Sequence, residues 1–259
     1  MNVPYQDQVV WIIGASSGIG CALARELAAR GALLALSARR KDELEKLNDE
    51  LGGRHKVFVL DSADAAMTQR TAQAIRAACG RIDRVIFLAA AYAPMKLDAL
   101  DIVVTKGIVD TNLTGAFNLV QAVLPILKNQ QPPGQLALCG SVAGYIGLPG
   151  GQPYSATKAA IINLAESLHA ECRDSLDSKR HSVDIKLISP GFVRTPLTDK
   201  NDFTMPAIIE PEQAAKAIAD GLLSKQFEVH FPKKFTLVLK FLRLLPYRLM
   251  LSITCKINR

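Results

Sequence analysis

The chain has 259 residues, of which 49% are hydrophobic and 21% are charged. This balance excludes a disordered chain, and the length fits one large α/β domain with a sizeable buried core or two small domains. Of the 31 basic residues, seven follow Glu228 and no acid follows it. The rest of the chain is therefore electrically balanced against its 24 acids, which gives no support to nucleic-acid binding.

Apolar runs typical of strands alternate with helical periods along the chain. The predicted strands cover residues 8–14, 32–38, 56–60, 84–90, 134–140, 183–189 and 227–231. The predicted helices cover residues 18–30, 41–51, 63–78, 102–128, about 153–177 and 211–223. Strands apolar throughout are typical of a parallel sheet covered by helices on both faces. The alternation thus predicts an α/β fold with a doubly wound parallel sheet and right-handed crossovers.

The cysteines, histidines and N-terminal sequence indicate where such a protein works. Five scattered cysteines without a Cys-x-x-Cys pair are typical of reduced, mostly buried thiols in a cytoplasmic protein. The four histidines show no ligand spacing with Cys, Asp or Glu, so no metal site is expected. The sequence MNVPYQDQVVWIIGAS has neither the basic region nor the cleavage site of a secretory signal.

The first predicted strand runs directly into GASSGIG, which places Gly14, Gly18 and Gly20 ahead of a helix. Glycines permit positive φ and let the backbone approach a pyrophosphate closely. The helix that follows offers unpaired N–H groups and a positive dipole end to an anion. The pattern predicts a dinucleotide site in a Rossmann-like fold, and a purely structural strand–helix turn is the alternative.

The second predicted strand ends at LSARRKDEL, where an acid usually holds a free ribose 2′-hydroxyl. Arg39 and Arg40 stand there instead, and the nearest acid, Asp42, lies in the next helix. Two guanidinium groups suit a 2′-phosphate and therefore predict NADP(H), unless both are merely solvated. Asp61, at the end of the third strand, either accepts from the adenine amino group or caps the next helix.

Tyr154 and Lys158 in PYSATKAAII are four residues apart, which places both side chains on one face of a predicted helix. A phenol with a pKa near 10 is a poor acid–base catalyst at neutral pH, but a neighbouring cation stabilises the phenolate. The pair is thus either catalytic or part of an ordinary helix surface.

Taken in order, these motifs resemble those of the short-chain dehydrogenase/reductase family across about residues 6–231. The matching stretches are GASSGIG, DTNLTGAFNLV, CGSVAG, YSATK and PGFVRTP. The resemblance implies a catalytic set of Asn112, Ser141, Tyr154 and Lys158. It implies cofactor contacts from Gly14, Ser16, Ser17, Gly18, Ile19, Gly20, Arg39, Arg40, Asp61, Ala89, Tyr154, Lys158, Pro190, Gly191, Val193 and Thr195.

The resemblance also assigns a role to each catalytic residue. Tyr154 would be the general acid in carbonyl reduction and the base in alcohol oxidation. Lys158 would bond the nicotinamide ribose and, with the positive nicotinamide, lower the pKa of the phenol. Ser141 would hydrogen-bond the substrate oxygen, and Asn112 would hold a water that links Lys158 to solvent.

Two positions depart from the pattern of the family. Leu88, Ala89 and Ala90 replace an Asn-Ala-Gly turn after the fourth strand, which removes an asparagine that braces the sheet. Gly140 stands where a second serine often precedes the catalytic one. We expect the first departure to change local geometry near the cofactor and to leave the catalytic set intact.

Residues 1–231 are thus predicted to form one dinucleotide-binding and catalytic domain. Its predicted activity is NADP(H)-dependent reduction of a ketone or aldehyde, or oxidation of the matching alcohol; the alternative is a dinucleotide-binding sensor or scaffold without turnover. A group of apolar side chains is predicted to line the pocket for a small apolar substrate; the alternatives are core packing and a partner interface. These residues are Tyr145, Ile146, Leu148, Phe192, Leu197, Phe203 and Met205. The resemblance further implies a homodimer or homotetramer formed partly by the helices at 102–128 and 153–177.

Residues 232–259 form a basic, apolar C-terminal extension with seven cations and no acid. No stretch in it approaches the roughly 20 apolar residues that span a bilayer. Its composition suits peripheral binding to anionic lipid head groups, although Pro246 interrupts any helix and the cations cover a wide arc. The alternative is packing on the domain or on another subunit, which would bury Phe235, Phe241, Leu244 and Leu249.

Overall fold

The computed structural model describes residues 4–147, 149–173 and 182–255, except for the side chain of Leu97. Its sheet has seven parallel strands: β1 Val9–Ile13, β2 Leu33–Ala38, β3 Lys56–Val59, β4 Arg84–Phe87, β5 Gln135–Cys139, β6 Asp184–Pro190 and β7 Glu228–Phe231. They lie in the order β3-β2-β1-β4-β5-β6-β7, so the chain reverses direction across the sheet between β1 and β4. The predicted fold class is confirmed.

Helices cover both faces of this sheet. They are α1 Gly18–Ala29, α2 Lys41–Glu50, α3 Ala65–Cys79, α4 Ile102–Val109, α5 Gly115–Asn129, α6 Tyr154–Arg173, α7 Pro211–Leu222, α8 Lys233–Arg243 and α9 Tyr247–Thr254. Successive residues of a strand point to opposite faces, and the strand β1 shows the consequence. Val10 and Ile12 pack with α1, α2 and α7, whereas Trp11 and Ile13 pack with α3, α5 and α6.

The structure divides the long helix that the sequence predicts over 102–128. The α-helix α4 ends at Val109, a single π-helical turn covers Asp110–Thr114, and α5 continues to Asn129. A π-turn inserts one residue into the helical repeat and re-aims the side chains around it. Here the turn carries Asn112, whose side chain reaches the segment after β4.

Other boundaries also differ from the prediction. The fourth strand ends at Phe87, not at residue 90. Leu88 still donates to Ile13 of β1, and residues 88–90 line a cleft described below. The helix α6 is described through Arg173, and the predicted residues 174–177 lie outside the described residues. The cysteines are free, but only Cys139 is buried, and the exposed Cys255 contradicts the expectation of mostly buried thiols.

The C-terminal helices α8 and α9 pack on the face of the sheet that α3, α5 and α6 cover. Leu239 and Met250 join the core there, and Pro246 separates the two helices as its fixed φ predicts. Of the side chains that the packing alternative would bury, Phe235 is partly buried. Phe241, Leu244 and Leu249 are exposed, so packing on the chain's own domain is wrong for these three residues, and packing on another subunit stays a prediction.

Candidate active site

A cleft of about 460 Å³ opens where the carboxyl ends of the strands meet, at the reversal between β1 and β4. This is the edge at which open α/β sheets bind ligands, because the loops there diverge to opposite faces. Every cofactor-binding residue predicted from the sequence lines this one cleft: Gly14, Ser16, Ser17, Gly18, Ile19, Gly20, Arg39, Arg40, Asp61, Ala89, Tyr154, Lys158, Pro190, Gly191, Val193 and Thr195.

The glycine loop between β1 and α1 is a cradle that side chains would fill. Gly14 has φ of +96°, and a Cβ there would stand 2.7 Å from the main-chain nitrogen of Ala89. A Cβ on Gly20 would stand 2.1 Å from the carbonyl oxygen of Gly14. Ser17, the residue directly before α1, makes no side-chain capping bond, so the first N–H groups of the helix remain available. The loop therefore fits a pyrophosphate.

The two arginines stand at the rim of the cleft, beyond β2. Arg40 donates from Nη2 to Oγ of Ser16 at 3.0 Å and to the carbonyl oxygen of Ser16 at 3.3 Å. Arg39 also lines the cleft, and both guanidinium groups are exposed. Arg40 is thus hydrogen-bonded to the glycine loop, whereas the alternative was that its guanidinium group contacts only solvent.

Asp61 does not cap the helix that follows it, so that alternative is wrong. The side chain of Asp64 caps α3 by accepting from the main-chain nitrogen of Met67 at 2.8 Å. Oδ1 of Asp61 accepts from the main-chain nitrogen of Ala63 at 3.0 Å, which holds its carboxylate at the wall of the cleft. An interaction between Asp61 and adenine remains a prediction.

Tyr154 begins α6 and lines the cleft beside Ser141. Burial raises the pKa of its phenol well above the usual value, while a hydrogen bond with Ser141 lowers it by less. The ring of Tyr92 meets that of Tyr154 edge to face, with centroids 5.0 Å apart. Among the protein's own groups, burial thus has the largest effect on this pKa. The lowering of the pKa by Lys158 together with a positive nicotinamide stays a prediction. The phenol is protonated at neutral pH, as a general acid must be.

Lys158 is only 2% exposed, and its Nζ lies 5.5 Å from the centre of the Tyr154 ring. The ammonium donates to the carbonyl oxygen of Cys139 at 2.8 Å, at the end of β5. Burial lowers the pKa of this amine because the interior disfavours its charged form. A lysine buried in a cleft against a neutral acceptor is costly for folding, so Lys158 is a candidate functional residue.

Ser141 follows β5 and is almost completely buried. Its Oγ accepts from the main-chain nitrogen of Ala143 at 3.1 Å and lies 3.5 Å from the carbonyl oxygen of Pro190. These contacts hold the hydroxyl at the wall of the cleft, beside the phenol of Tyr154. The arrangement matches two donors that converge on a carbonyl.

Asn112 does not line the cleft; it braces the segments around it. Its Oδ1 accepts from the main-chain nitrogen of Ala91 at 2.7 Å, and its Nδ2 donates to the carbonyl oxygen of Ala91 at 3.0 Å. The same Nδ2 donates to Oγ1 of Thr157, which in turn donates to the carbonyl oxygen of Tyr154. Asn112 therefore connects the turn after β4 to the first turn of α6, and its predicted water-holding role stays a prediction.

The departure at Leu88–Ala90 is accommodated without strain. The main-chain nitrogen of Leu88 donates to the carbonyl oxygen of Ile13 at 2.8 Å, which continues the ladder between β4 and β1. None of the three residues has a positive φ, so alanine serves where the family has glycine. The paired bonds from Asn112 to Ala91 hold the next residue, and the turn remains a wall of the cleft.

The apolar residues predicted to surround a substrate do not all lie at the cleft. Tyr145 and Ile146 belong to the core, as the alternative of core packing predicted, and Leu148 lies outside the described residues. Leu197 lines the cleft, and the rings of Phe192 and Phe203 meet 5.8 Å apart in the segment after β6.

The segments after β4 and β6 meet beside the phenol of Tyr154. Tyr92, after β4, donates its hydroxyl to Oδ1 of Asn201 at 2.7 Å. Lys200 donates to the carbonyl oxygen of Tyr92 at 2.8 Å. The segments after β4 and β6 are therefore joined on the same side of the cleft as the Tyr92 ring.

Sequence reasoning did not find several residues that line the cleft, among them Leu60, Ser62, Thr111, Cys139 and Thr198. Cys139 accepts from Lys158 with its main-chain carbonyl oxygen, so the identity of its side chain does not indicate this contact. Thr198 accepts from the main-chain nitrogen of Thr195 and closes a tight turn at the mouth of the cleft. Leu60, Ser62 and Thr198 follow strands and Cys139 ends one, so their position at the carboxyl end of the sheet was the available signal. Thr111 lies in the π-helical turn and has no such signal.

Comparisons with known proteins agree with this geometry. A family model described as short chain dehydrogenase matches residues 8–205. An uncharacterized oxidoreductase of Myxococcus xanthus is 34% identical over 91% of this chain and 91% of its own. The 3-oxoacyl-(acyl-carrier-protein) reductase of Escherichia coli is 29% identical over 75% of this chain and 77% of its own. A short chain dehydrogenase/reductase from Burkholderia phymatum, solved in complex with NAD, superposes with a TM-score of 0.82 at 21% identity, covering 92% of this chain and 93% of that one.

A doubly wound sheet with a glycine cradle, a buried lysine and a tyrosine in one cleft defines an oxidoreductase that uses a nicotinamide dinucleotide. The chain belongs to the short-chain dehydrogenase/reductase family.

Proposed function

We propose that this protein transfers hydride between NADP(H) and a ketone or aldehyde, or in reverse from the matching alcohol. The observation that carries the proposal is the phenol of Tyr154 beside Ser141 at the wall of the cleft, next to the buried Lys158. When bound, the dinucleotide supplies or accepts the hydride. All other steps belong to side chains of this chain.

In the reductive direction Ser141 donates a hydrogen bond to the carbonyl oxygen as negative charge develops there. Tyr154 then transfers its phenolic proton to that oxygen. Lys158, held by the carbonyl oxygen of Cys139, lies near enough to stabilise the phenolate that remains. Asn112 positions the phenol through Thr157, because its bonds fix the first turn of α6.

NADP(H) rather than NAD(H) is proposed from the charge at the rim of the cleft. Arg39 and Arg40 present two guanidinium groups beyond β2, and Arg40 is already oriented over the glycine loop by Ser16. Guanidinium groups bind phosphate oxygens in a bidentate way, which favours a 2′-phosphate over a hydroxyl. The relative from Burkholderia phymatum was solved with NAD, so the two proteins would differ in this preference.

An apolar substrate is proposed from Leu197, Phe192, Phe203 and the ring of Tyr92, which gather in the segments after β4 and β6. The Escherichia coli relative is named as a reductase of a 3-oxoacyl group, which is one such carbonyl. The proposal is tested by following NADPH and NADH absorbance with a panel of aliphatic, aromatic and steroid carbonyls. Turnover of at least one carbonyl with NADPH supports it. Binding of NADPH without turnover of any would favour the sensor or scaffold.

We also expect a homodimer or homotetramer, with α4 and α5 in the contact. Ile102 and Val103 begin α4 and are exposed, Val103 to 76%, and Phe117 on α5 is exposed as well. Exposed apolar side chains in one region are typical of a surface that another subunit covers. Replacing Ile102 and Val103 by glutamate is expected to yield monomers, measured as mass by light scattering at micromolar concentration.

Because both side chains are exposed, the substitutions should leave the thermal unfolding of the isolated chain nearly unchanged. Replacing the exposed Leu223 at the end of α7 by glutamate serves as the matched control and should keep the oligomer. A wild-type protein that is monomeric would contradict the expectation directly.

A further inference from the structure

The outward side of α8 is an apolar surface with no partner in the described part of the chain. Leu237, Phe241 and Leu244 follow each other at intervals of four and three residues, which places them in one row. They are 54%, 63% and 81% exposed, whereas Leu239 on the opposite side of the helix is buried in the core. Tyr247 and Leu249 extend the exposed apolar area onto α9. We call Leu237, Phe241, Leu244, Tyr247 and Leu249 the tail surface.

The cations around the tail surface stand at its margins. Lys233 and Lys234 lie in the first turn of α8, Arg243 at its last residue and Arg248 on α9, and all four are exposed. Lys240, the remaining cation of α8, turns towards the domain and pairs with the carboxylate of Glu228. The sequence predicts cations over a wide arc of this segment. In the folded chain Lys240 leaves that arc, so the apolar row is uninterrupted.

We propose that the tail surface docks the protein onto the surface of a membrane that contains anionic lipid. The apolar side chains would enter the boundary between head groups and acyl chains, while the four cations reach the phosphates from the margins. Charge complementarity selects this occupant, because no acid follows Glu228 in the sequence. Among the described residues no helix is long and apolar enough to cross a bilayer, so the contact is peripheral.

The helices that carry this surface are fixed before any membrane is met. Leu239 and Met250 are buried in the core, and Thr236 shares a hydrogen bond of 2.6 Å with His230 of β7. The ring of Phe235 packs 5.8 Å from that of Phe192. Docking therefore does not require the segment to fold on the lipid, which removes an ordering cost that a disordered tail would carry.

A second copy of this chain fits the tail surface less well than a membrane does. In a two-fold contact the same patch faces itself, so Lys233, Lys234, Arg243 and Arg248 would oppose their own equivalents with no acid of the patch to offset them. The exposed apolar side chains of α4 offer a separate face for subunit contact.

The test is sedimentation of the full chain with vesicles, one set of phosphatidylcholine and one of phosphatidylcholine and phosphatidylglycerol in equal parts. An apolar variant carries Leu237→Ser, Phe241→Ser and Leu244→Ser. A charge variant carries Lys233→Gln, Lys234→Gln and Arg248→Gln. The matched control removes three exposed cations elsewhere, by Lys41→Gln, Lys46→Gln and Lys216→Gln, and reaches the same net charge. Circular dichroism checks that each variant is folded.

We expect the full chain and the matched control to sediment with the anionic vesicles at low salt. The charge variant should bind on the order of a hundredfold more weakly, and the apolar variant should lose binding to a similar or greater extent. The proposal is overturned if the full chain stays in the supernatant, or if both tail variants bind as well as the matched control. It is also overturned if the apolar variant lowers the mass of the oligomer in light scattering, since the surface would then cover another copy. None of these measurements depends on hydride transfer.

Discussion

Tyr154→Phe is expected to lower kcat for carbonyl reduction by about a hundred- to ten-thousandfold, the usual contribution of a positioned general acid. The substitution removes the hydroxyl that lies beside Ser141 in the cleft and whose pKa burial raises; it is the proposed proton donor. The ring itself remains, so its edge contact with Tyr92 and the beginning of α6 should be kept. Initial rates with NADPH and the best carbonyl of the panel measure the effect.

The dissociation constant for NADPH should change by less than about threefold in the same variant, because the glycine cradle and the arginines are untouched. Tyr247→Phe is the matched control, since it deletes the same atom from an exposed side chain of α9. It should leave kcat unchanged. An undiminished rate in Tyr154→Phe would show that another group donates the proton.

The pH dependence of the wild-type enzyme follows from the same phenol. A raised pKa keeps Tyr154 protonated across the neutral range, so reduction should be nearly independent of pH there and should decline only in alkali. Alcohol oxidation needs the phenolate, so its rate should rise with pH over the same range. A reductive rate that falls as pH rises through neutrality would contradict the assignment.

The fold and most of the cleft could be predicted from the sequence because their signals are local. A strand such as Val9–Ile13 is apolar along its whole length. Glycines follow it because the backbone there has a positive φ at Gly14 and leaves no room for a Cβ at Gly14 or Gly20. Strand ends in a parallel sheet then gather at one edge, which brings residues from distant parts of the sequence into one cleft. The family resemblance supplied the roles of the catalytic set, which no local signal carries.

What could not be predicted depends on contacts between distant segments. The π-turn that carries Asn112 is accompanied by hydrogen bonds between the Asn112 side chain and Ala91. The helical periodicity of residues 102–128 does not indicate this turn. For Tyr145 the sequence left a substrate contact and core packing open, and only the fold decides: its hydroxyl bonds Glu228 of β7 and its ring joins the core. In the sequence Lys240 is one more cation of the C-terminal extension, but in the structure it pairs with the carboxylate of Glu228.

Replacing both Arg39 and Arg40 by alanine is expected to weaken NADPH binding on the order of a hundredfold and NADH binding by less than about fivefold. Each charge-assisted hydrogen bond to a phosphate contributes about 1.5–3 kcal/mol, and the 2′-phosphate is the group that distinguishes the two cofactors. Fluorescence titration of both cofactors against wild type and variant measures the two ratios.

The small loss for NADH arises because Arg40 also holds Ser16 at the edge of the glycine loop, and that bond serves either cofactor. Arg70→Ala with Arg76→Ala removes two exposed arginines of α3 and the same charge, so general attraction of an anion is controlled. If the binding of NADPH and of NADH weakens equally in this variant, Arg39 and Arg40 act on the pyrophosphate that both cofactors share or on the glycine loop. A wild-type preference for NADH would refute the 2′-phosphate assignment outright, and the exposed guanidinium groups would then be solvated side chains at the start of α2.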